Sequence, residues 1–400
     1  MSFDKTRLRK IGPVMQGYVE RGAYAGVSVL VARDGEIAYE GAWGHRDREA
    51  QTPMTRDTIL RLYSMTKPIV STALMMLVEE GRLRLVDPLA AYIPAFGKTQ
   101  VLSAHGELVA QRRPIFVRDL LTHTSGLTYG FLADSPVSKD YAQAKLVDAH
   151  ATLKDAIDDL AIFPLAFQPG ERFHYSVGID VAARVIEVVS GQTLGAFLRE
   201  RLFQPLNMAD TDFVVPEGKR DRLAAMYGRP DVMGGVTAPE SFELWRGGHN
   251  EKLDVSKTYP VDAPGTFERG GHGLFGTISD YFRFAQMLCA GGALDGVRVI
   301  GRKTLELAHA NHLPLSLLPI EIGGAPLLGY GFGIGSRVLL DAAASGVSGT
   351  AGEYGWSGAA KTHYWVDPKE RVVALFMTQS MMSFDLPEAT LRGLVYGALD

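Results

Sequence analysis

Ser64 and Lys67 stand three residues apart in Ser64-Met65-Thr66-Lys67. On a helix, that spacing puts both side chains on one face. A serine hydroxyl is a poor nucleophile until a neighbour takes its proton. A lysine takes it only as the neutral amine, and a free pKa of about 10.4 means that desolvation or a nearby cation is required. A helix start adds unpaired backbone N–H groups and the positive end of the helix dipole at Ser64. The pair therefore points to acyl chemistry on a serine. S-x-x-K alone recurs by chance in many chains, and Pro68 removes an N–H and loosens the first turn. Other segments must single the pair out.

Five do, in a fixed order: Leu120-Leu121-Thr122-His123-Thr124-Ser125-Gly126-Leu127, Pro169-Gly170-Glu171-Arg172-Phe173-His174-Tyr175-Ser176, the run from Phe203 to Thr211, the run from Gly273 to Phe284, and Gly355-Trp356-Ser357-Gly358-Ala359. With the Ser64 segment, this series resembles the serine β-lactamase and penicillin-binding-protein superfamily. Within it, the chain looks most like the family VIII carboxylesterases, which are similar to class C β-lactamases. The resemblance runs over almost the whole chain.

The resemblance implies roles at matching positions. Ser64 is the acylated nucleophile and Lys67 its proton partner. Tyr175, first in Tyr175-Ser176-Val177, is the second base, passing the proton to the leaving alkoxide. A phenol of pKa about 10 needs positive charge beside it for that task, which Lys67 supplies, so the two titrate as a unit. The Ser64 and Ala359 N–H groups form the oxyanion hole. The implied fold class is α+β: a β-lactamase/transpeptidase-like central antiparallel sheet flanked by helices, plus an inserted, mostly helical domain, with the site at the junction.

Two departures bear on the substrate. Val177 stands where β-lactamases carry the Asn that holds the lactam's amide side chain, and Trp356 where they carry a carboxylate-anchoring Lys. A site without those polar groups is poorly matched to a penicillin. Lys361-Thr362-His363 could replace the lysine motif, but it lacks the final Gly, and Trp356-Ser357-Gly358 fits the esterase pattern better. The expected activity is hydrolysis of short- to medium-chain carboxylic esters through an acyl-Ser64, with weak β-lactam hydrolysis at most. Trp356, Ser357, Gly358, Val177, Tyr129 and His272 are the substrate-binding candidates, with Tyr129 and Phe131 at the entrance. His123 is expected to be structural and His174 to point away from the site.

The elements that must position these residues are legible in outline. Two β-prone runs flank Asp34-Gly35, a type I′ hairpin signal. Tyr330 to Leu339, Tyr354 to Val366 and Arg371 to Gln379 read as three more strands. Helical periodicity covers Leu8 to Val19, Ile69 to Glu80, Ile179 to Ser190, Ser279 to Ala290 and Pro387 to Leu399, the three central helices stopping at Gly81, Gly191 and Gly291. Strands at both ends with helices between predict one antiparallel sheet assembled from both termini. This gives a discontinuous domain, 1–85 and 270–400, around a mostly helical 86–269. Residues 228–270, with isolated Trp245, Tyr259 and Phe267, read as long irregular loops.

Composition bounds the rest. The net charge is −4 and charged residues are 22% of the chain, which gives no basic excess for nucleic acid. The single cysteine, Cys289, excludes a disulfide scaffold and reads as a core residue on a helix. His309 and His312 lack a third ligand and read as a surface pair, so no metal and no cofactor is expected. Neither a secretory leader nor an apolar stretch long enough to span a bilayer is visible, so the expected location is the cytoplasm. The expected partner is a small-molecule ester. A Ser-His-Asp hydrolase has only Gly355-Trp356-Ser357-Gly358-Ala359 as a nucleophile elbow, with no Asp and His after it in usable order. Acyltransferase, β-lactamase and peptidase chemistry share the scaffold, as does a non-enzymatic ligand sensor, but Ser64, Lys67 and Tyr175 are all present.

Overall fold

The computed structural model describes residues 3–132, 135, 137–228, 231–234, 251–381 and 387–400. Trp245 lies outside them. The main sheet has eight antiparallel strands. From edge to edge these are Tyr330–Phe332, Arg337–Leu339, Tyr354–Ser357, His363–Asp367, Val372–Thr378, Gly26–Arg33, Glu36–Asp47 and Thr52–Pro53. The two chain ends meet at its centre, where Gly26–Arg33 pairs with Val372–Thr378 from Val27↔Thr378 to Arg33↔Val372.

Both central strands are buried along their whole length, so alternate residues enter different cores. Leu30, Ala32, Val373, Leu375 and Met377 face a large core shared with Ile69, Leu74, Tyr281 and Phe284 of the helices Thr66–Glu79 and Ile278–Cys289. Val27, Val29, Val31, Ala374 and Phe376 face the other way, onto Ile11, Met15 and Tyr18 of Ile11–Glu20 and Leu391 and Val395 of Pro387–Tyr396. The result is a helix–sheet–helix sandwich. The middle of the chain adds helices, notably Leu153–Leu160 and Gly178–Ser190, the latter packed on Thr66–Glu79.

The expected hairpin is present, with Asp34 at φ 55°. Two expected strands prove to be pairs. Tyr330 to Leu339 is a hairpin that turns between Phe332 and Arg337, and Tyr354 to Val366 folds back through Gly358–Thr362, with Lys361 at φ 61°. Within 228–270, the described residues are less irregular than the composition suggests. Met226–Gly228 pairs with Lys252–Leu253 and Ser380–Met381 in a second small sheet, and Tyr259 and Phe267 are buried. His309 is not half of a surface pair: its ring lies flat on Tyr354 with centroids 3.5 Å apart. Cys289 is partly buried, and burial pushes its thiol up to about 12. Among the described residues, no single helix is long and apolar enough to cross a membrane.

Two of the sequence motifs serve to dock segments on each other. The Asp280 carboxylate accepts from the Asp210 N–H at 2.7 Å and the Thr211 hydroxyl at 2.9 Å, joining the 203–211 and 273–284 segments. Asp210 in turn holds Arg222 and Lys219, which keep its carboxyl down at about 2.

Burial pushes the imidazoles of His123, His272 and His363 well below the usual histidine range, and nearby cations push them the same way. They stay neutral in the fold, whereas in the unfolded chain they take up protons near pH 6.5. Below that pH the unfolded chain binds more protons, so stability falls with acidification, by up to about 1.4 kcal/mol per pH unit for each such histidine. Thermal unfolding followed from about pH 7.5 down to about pH 5 should show a falling Tm. A flat profile across that window would contradict the neutral burial of these three rings.

Candidate active site

Ser64 lies in a 3-10 turn, Tyr63–Met65, that runs directly into the helix Thr66–Glu79. Pro68 falls in the first helical turn, where N–H groups have no intrahelical partner, so its missing donor costs the helix nothing. The residue before the serine, Tyr63, has φ 46° and is buried against Tyr259. That is a strained conformation for an aromatic residue, and such strain persists only where the surroundings enforce it. Here they do. Leu62 N–H donates to the Leu274 carbonyl at 2.9 Å, the Leu62 carbonyl accepts from Thr362 Oγ1, and the Tyr281 hydroxyl donates to the Met65 carbonyl at 2.9 Å. The Thr66 hydroxyl accepts from the N–H groups of Gly273 and Leu274. The 273–284 motif is therefore the bracket of the serine turn.

Lys67 is fully buried. Its Nζ donates to Ser64 Oγ at 3.1 Å, to the Tyr129 hydroxyl at 2.8 Å and to the Gly271 carbonyl at 2.7 Å. Three N–H groups thus meet three oxygens, none of them a carboxylate. An acid bears on the amine through a peptide unit: Asp180 Oδ1 accepts from the Gly271 N–H at 2.8 Å. Burial holds the Asp180 carboxyl above the usual carboxylate range, with Lys67 opposing that shift. A Cβ at position 271 would lie 2.2 Å from Asp180 Oδ2 and 2.9 Å from the Tyr129 hydroxyl, so a larger residue would displace those two side chains.

Tyr175 reaches Ser64 from the far side, its hydroxyl 2.7 Å from Ser64 Oγ. The Lys67 amine lies 4.7 Å from the Tyr175 ring centroid. His123 fixes this segment. Its Nδ1 accepts from the Ser176 N–H at 3.2 Å, its carbonyl accepts from the His174 N–H at 2.8 Å, and its ring packs 4.7 Å from that of Tyr175. With Nδ1 accepting, the ring is the Nε2–H tautomer. It orients Tyr175 and does not reach Ser64. His174 turns the other way, its Nε2 2.7 Å from the Thr128 hydroxyl.

The third wall is the strand Tyr354–Ser357 and the turn after it. The Trp356 ring lies 5.6 Å from Tyr175 and edge-on to Phe332. Gly358 lies so close to the serine turn that a Cβ would come within 2.3 Å of the Leu62 carbonyl. Ser357 Oγ is held at 2.6 Å by His363 Nδ1, while His363 Nε2 accepts from Arg337 at 3.2 Å. An imidazole that donates from Nδ1 and accepts from an arginine has no means of activating Ser357, so this Ser–His pair is no alternative triad. Lys361, in the turn, pairs with Glu388 and is not presented to Ser64.

The structure thus gathers Ser64, Lys67, Tyr175, Tyr129 and Trp356 at one place, with Gly358 against the serine turn. Val177, at the start of Gly178–Ser190, and His272 line an adjoining pocket with Tyr129. Tyr129 is not at an entrance: it is buried and touches Lys67. Sequence reading missed the Gly271 carbonyl, a backbone atom that leaves no side-chain signal, and Asp180, which lies five residues after Tyr175 in an otherwise apolar helical run.

The Beta-lactamase family profile matches residues 13–397. The chain is 34% identical to Protein Rv1367c of Mycobacterium tuberculosis over 90% of this chain and 87% of that one. It is 33% identical to Esterase EstB of Burkholderia gladioli over 89% and 86%. Among solved structures, EstCE1, described as a hydrolase with promiscuous acyltransferase activity, superposes with a TM-score of 0.81 at 29% identity, covering 98% of this chain and 99% of that one. A helix–sheet–helix sandwich with a serine–lysine–tyrosine cluster, matched from end to end by that profile, places the chain in the β-lactamase family, and so among the serine hydrolases.

Proposed function

We propose that this protein is a carboxylesterase that works through an acyl-enzyme on Ser64. The observation that carries this reading is the paired approach to one hydroxyl: Tyr175 at 2.7 Å and Lys67 at 3.1 Å from Ser64 Oγ. In acylation, Ser64 Oγ attacks the ester carbonyl as its proton passes to the Lys67–Tyr175 pair. The tetrahedral oxyanion is received by the N–H groups of Ser64 and Ala359. The pair returns the proton to the leaving alkoxide, then takes one from water in deacylation. The site lies between the sheet domain, 1–85 with 270–400, and the helical 86–269.

The ester preference is supported by what surrounds the cluster. Val177 and Trp356 present apolar surface where a β-lactam needs an amide partner and a cation. The relatives point the same way: EstB is an esterase, and EstCE1 combines hydrolysis with acyl transfer. Transfer to an alcohol uses the same acyl-enzyme and differs only in the acceptor, so it is the second reading that the comparisons favour.

Ser64→Ala should abolish hydrolysis of p-nitrophenyl acetate and butyrate, while Lys67→Ala and Tyr175→Phe should each lose at least about 10²-fold in kcat. Full activity in Tyr175→Phe would remove the phenol from the proton path. Nitrocefin should be turned over far more slowly than the better of the two esters. A nitrocefin rate matching that ester would make the protein a β-lactamase instead.

A further inference from the structure

The helix Gly178–Ser190 buries one acid in a run that is otherwise apolar. Asp180 is 0% exposed and stands between Ile179 and Val181, with Ala182, Ala183, Val185 and Ile186 after it. Its Oδ1 accepts from the Gly271 N–H at 2.8 Å, and its Oδ2 has no hydrogen-bond partner among the described residues. Burying a carboxyl group with one oxygen unmet is costly, so packing alone does not account for it. Features that break a local rule in this way belong to functional sites.

What the acid holds is the backbone that meets Lys67. Gly271 gives its N–H to Asp180 and offers its carbonyl to Lys67 Nζ at 2.7 Å, the shortest of the amine's contacts with Ser64, Tyr129 and Gly271. Among the described residues, Gly270, Gly271 and His272 make no other hydrogen bond. Glycines tolerate many backbone conformations, so the carbonyl keeps its direction through the bond to Asp180. The lysine stem is flexible too, and its aim depends on what meets the amine. Behind both ends the frame is packed. Gly178–Ser190 lies on Thr66–Glu79, which carries Lys67, and Gly178 is so close to the 120–127 segment that a Cβ would come within 2.5 Å of the Leu120 carbonyl. Tyr175 stands just ahead of the same helix. One short segment therefore carries both the phenol that reaches Ser64 and the acid behind the lysine's carbonyl partner.

We propose that Asp180 is a positioning residue for the reaction on Ser64: through Gly271 it aims the Lys67 amine at the serine hydroxyl. This rests on the acyl-enzyme reading above and adds to it a residue that acts through another. The part that acts is the Oδ1 acceptor. Asparagine keeps an acceptor there, and because Oδ2 has no partner it displaces no hydrogen bond.

The test is p-nitrophenyl butyrate hydrolysis by the wild type, Asp180→Ala and Asp180→Asn, with kcat expressed per site counted in a fluorophosphonate end-point titration. A misplaced reacting group costs up to about 10²-fold, so Asp180→Ala should lose about 10- to 100-fold in kcat per titrated site. KM should stay within about twofold, because Lys67 serves both half-reactions. Asp180→Asn should come back to within about threefold of the wild type. A purely structural role would lower the number of titrated sites and leave kcat per site unchanged. Should Asp180→Ala not fold, Asp180→Ser, polar but too short for the Gly271 N–H, takes its place. Wild-type kcat per site in that variant overturns the proposal, as does an Asn variant equally slow, and so does failure of both Ala and Ser variants to fold, which assigns Asp180 to folding. Wild-type turnover that is lost in Ser64→Ala leaves the esterase reading standing in each of these cases. Absence of wild-type turnover with every ester removes both.

Discussion

The structure is organised around a lysine amine held away from water with no carboxylate against it. Burying such a group is costly unless its hydrogens are met. Ser64, Tyr129 and the Gly271 carbonyl meet them, and each comes from a different part of the chain. A carboxylate in direct contact would hold the amine as a passive ion pair. Asp180 sits one peptide unit away instead, holding the Gly271 unit whose carbonyl meets Nζ. Glycine at 271 suits that packing, since a side chain there would push on Asp180 and Tyr129.

That constraint explains why widely separated segments recur together. The 273–284 segment brackets the serine turn and, through Asp280, fastens the 203–211 loop. The 120–127 segment supplies His123, whose ring and Nδ1 hold Tyr175 in line with Ser64. The strand carrying Trp356 is drawn against the serine turn by the Gly358 contact and by Thr362 on the Leu62 carbonyl. The positive φ of Tyr63 is the local cost of presenting Ser64 outward at the head of a buried helix, and these brackets enforce it.

Much of this was legible in the sequence because it is local. Ser64 and Lys67 share one helical turn, Tyr175 sits in a short distinctive run, and helix ends are marked by glycine. The sheet assembled from both termini followed from where β-prone runs fall. The pair within 354–366 was hidden because Lys361, not glycine or asparagine, takes the left-handed position in its turn, whereas the 330–339 turn does carry a glycine signal, with Gly335 at φ 73°. The buried role of Tyr259 was hidden because one of its partners, Tyr63, lies about 200 residues away in the chain. Tyr129, Asp180 and the Gly271 carbonyl acquire meaning only when the tertiary fold brings them to one amine.

The central claim is that Ser64 is the group that becomes acylated. Intact-mass analysis after reaction with a fluorophosphonate, followed by mapping of the modified peptide, tests it most directly. The account predicts one adduct per chain, located on Ser64 and absent from Ser64→Ala. An adduct on Ser357 or elsewhere, or labelling that survives Ser64→Ala, would contradict it.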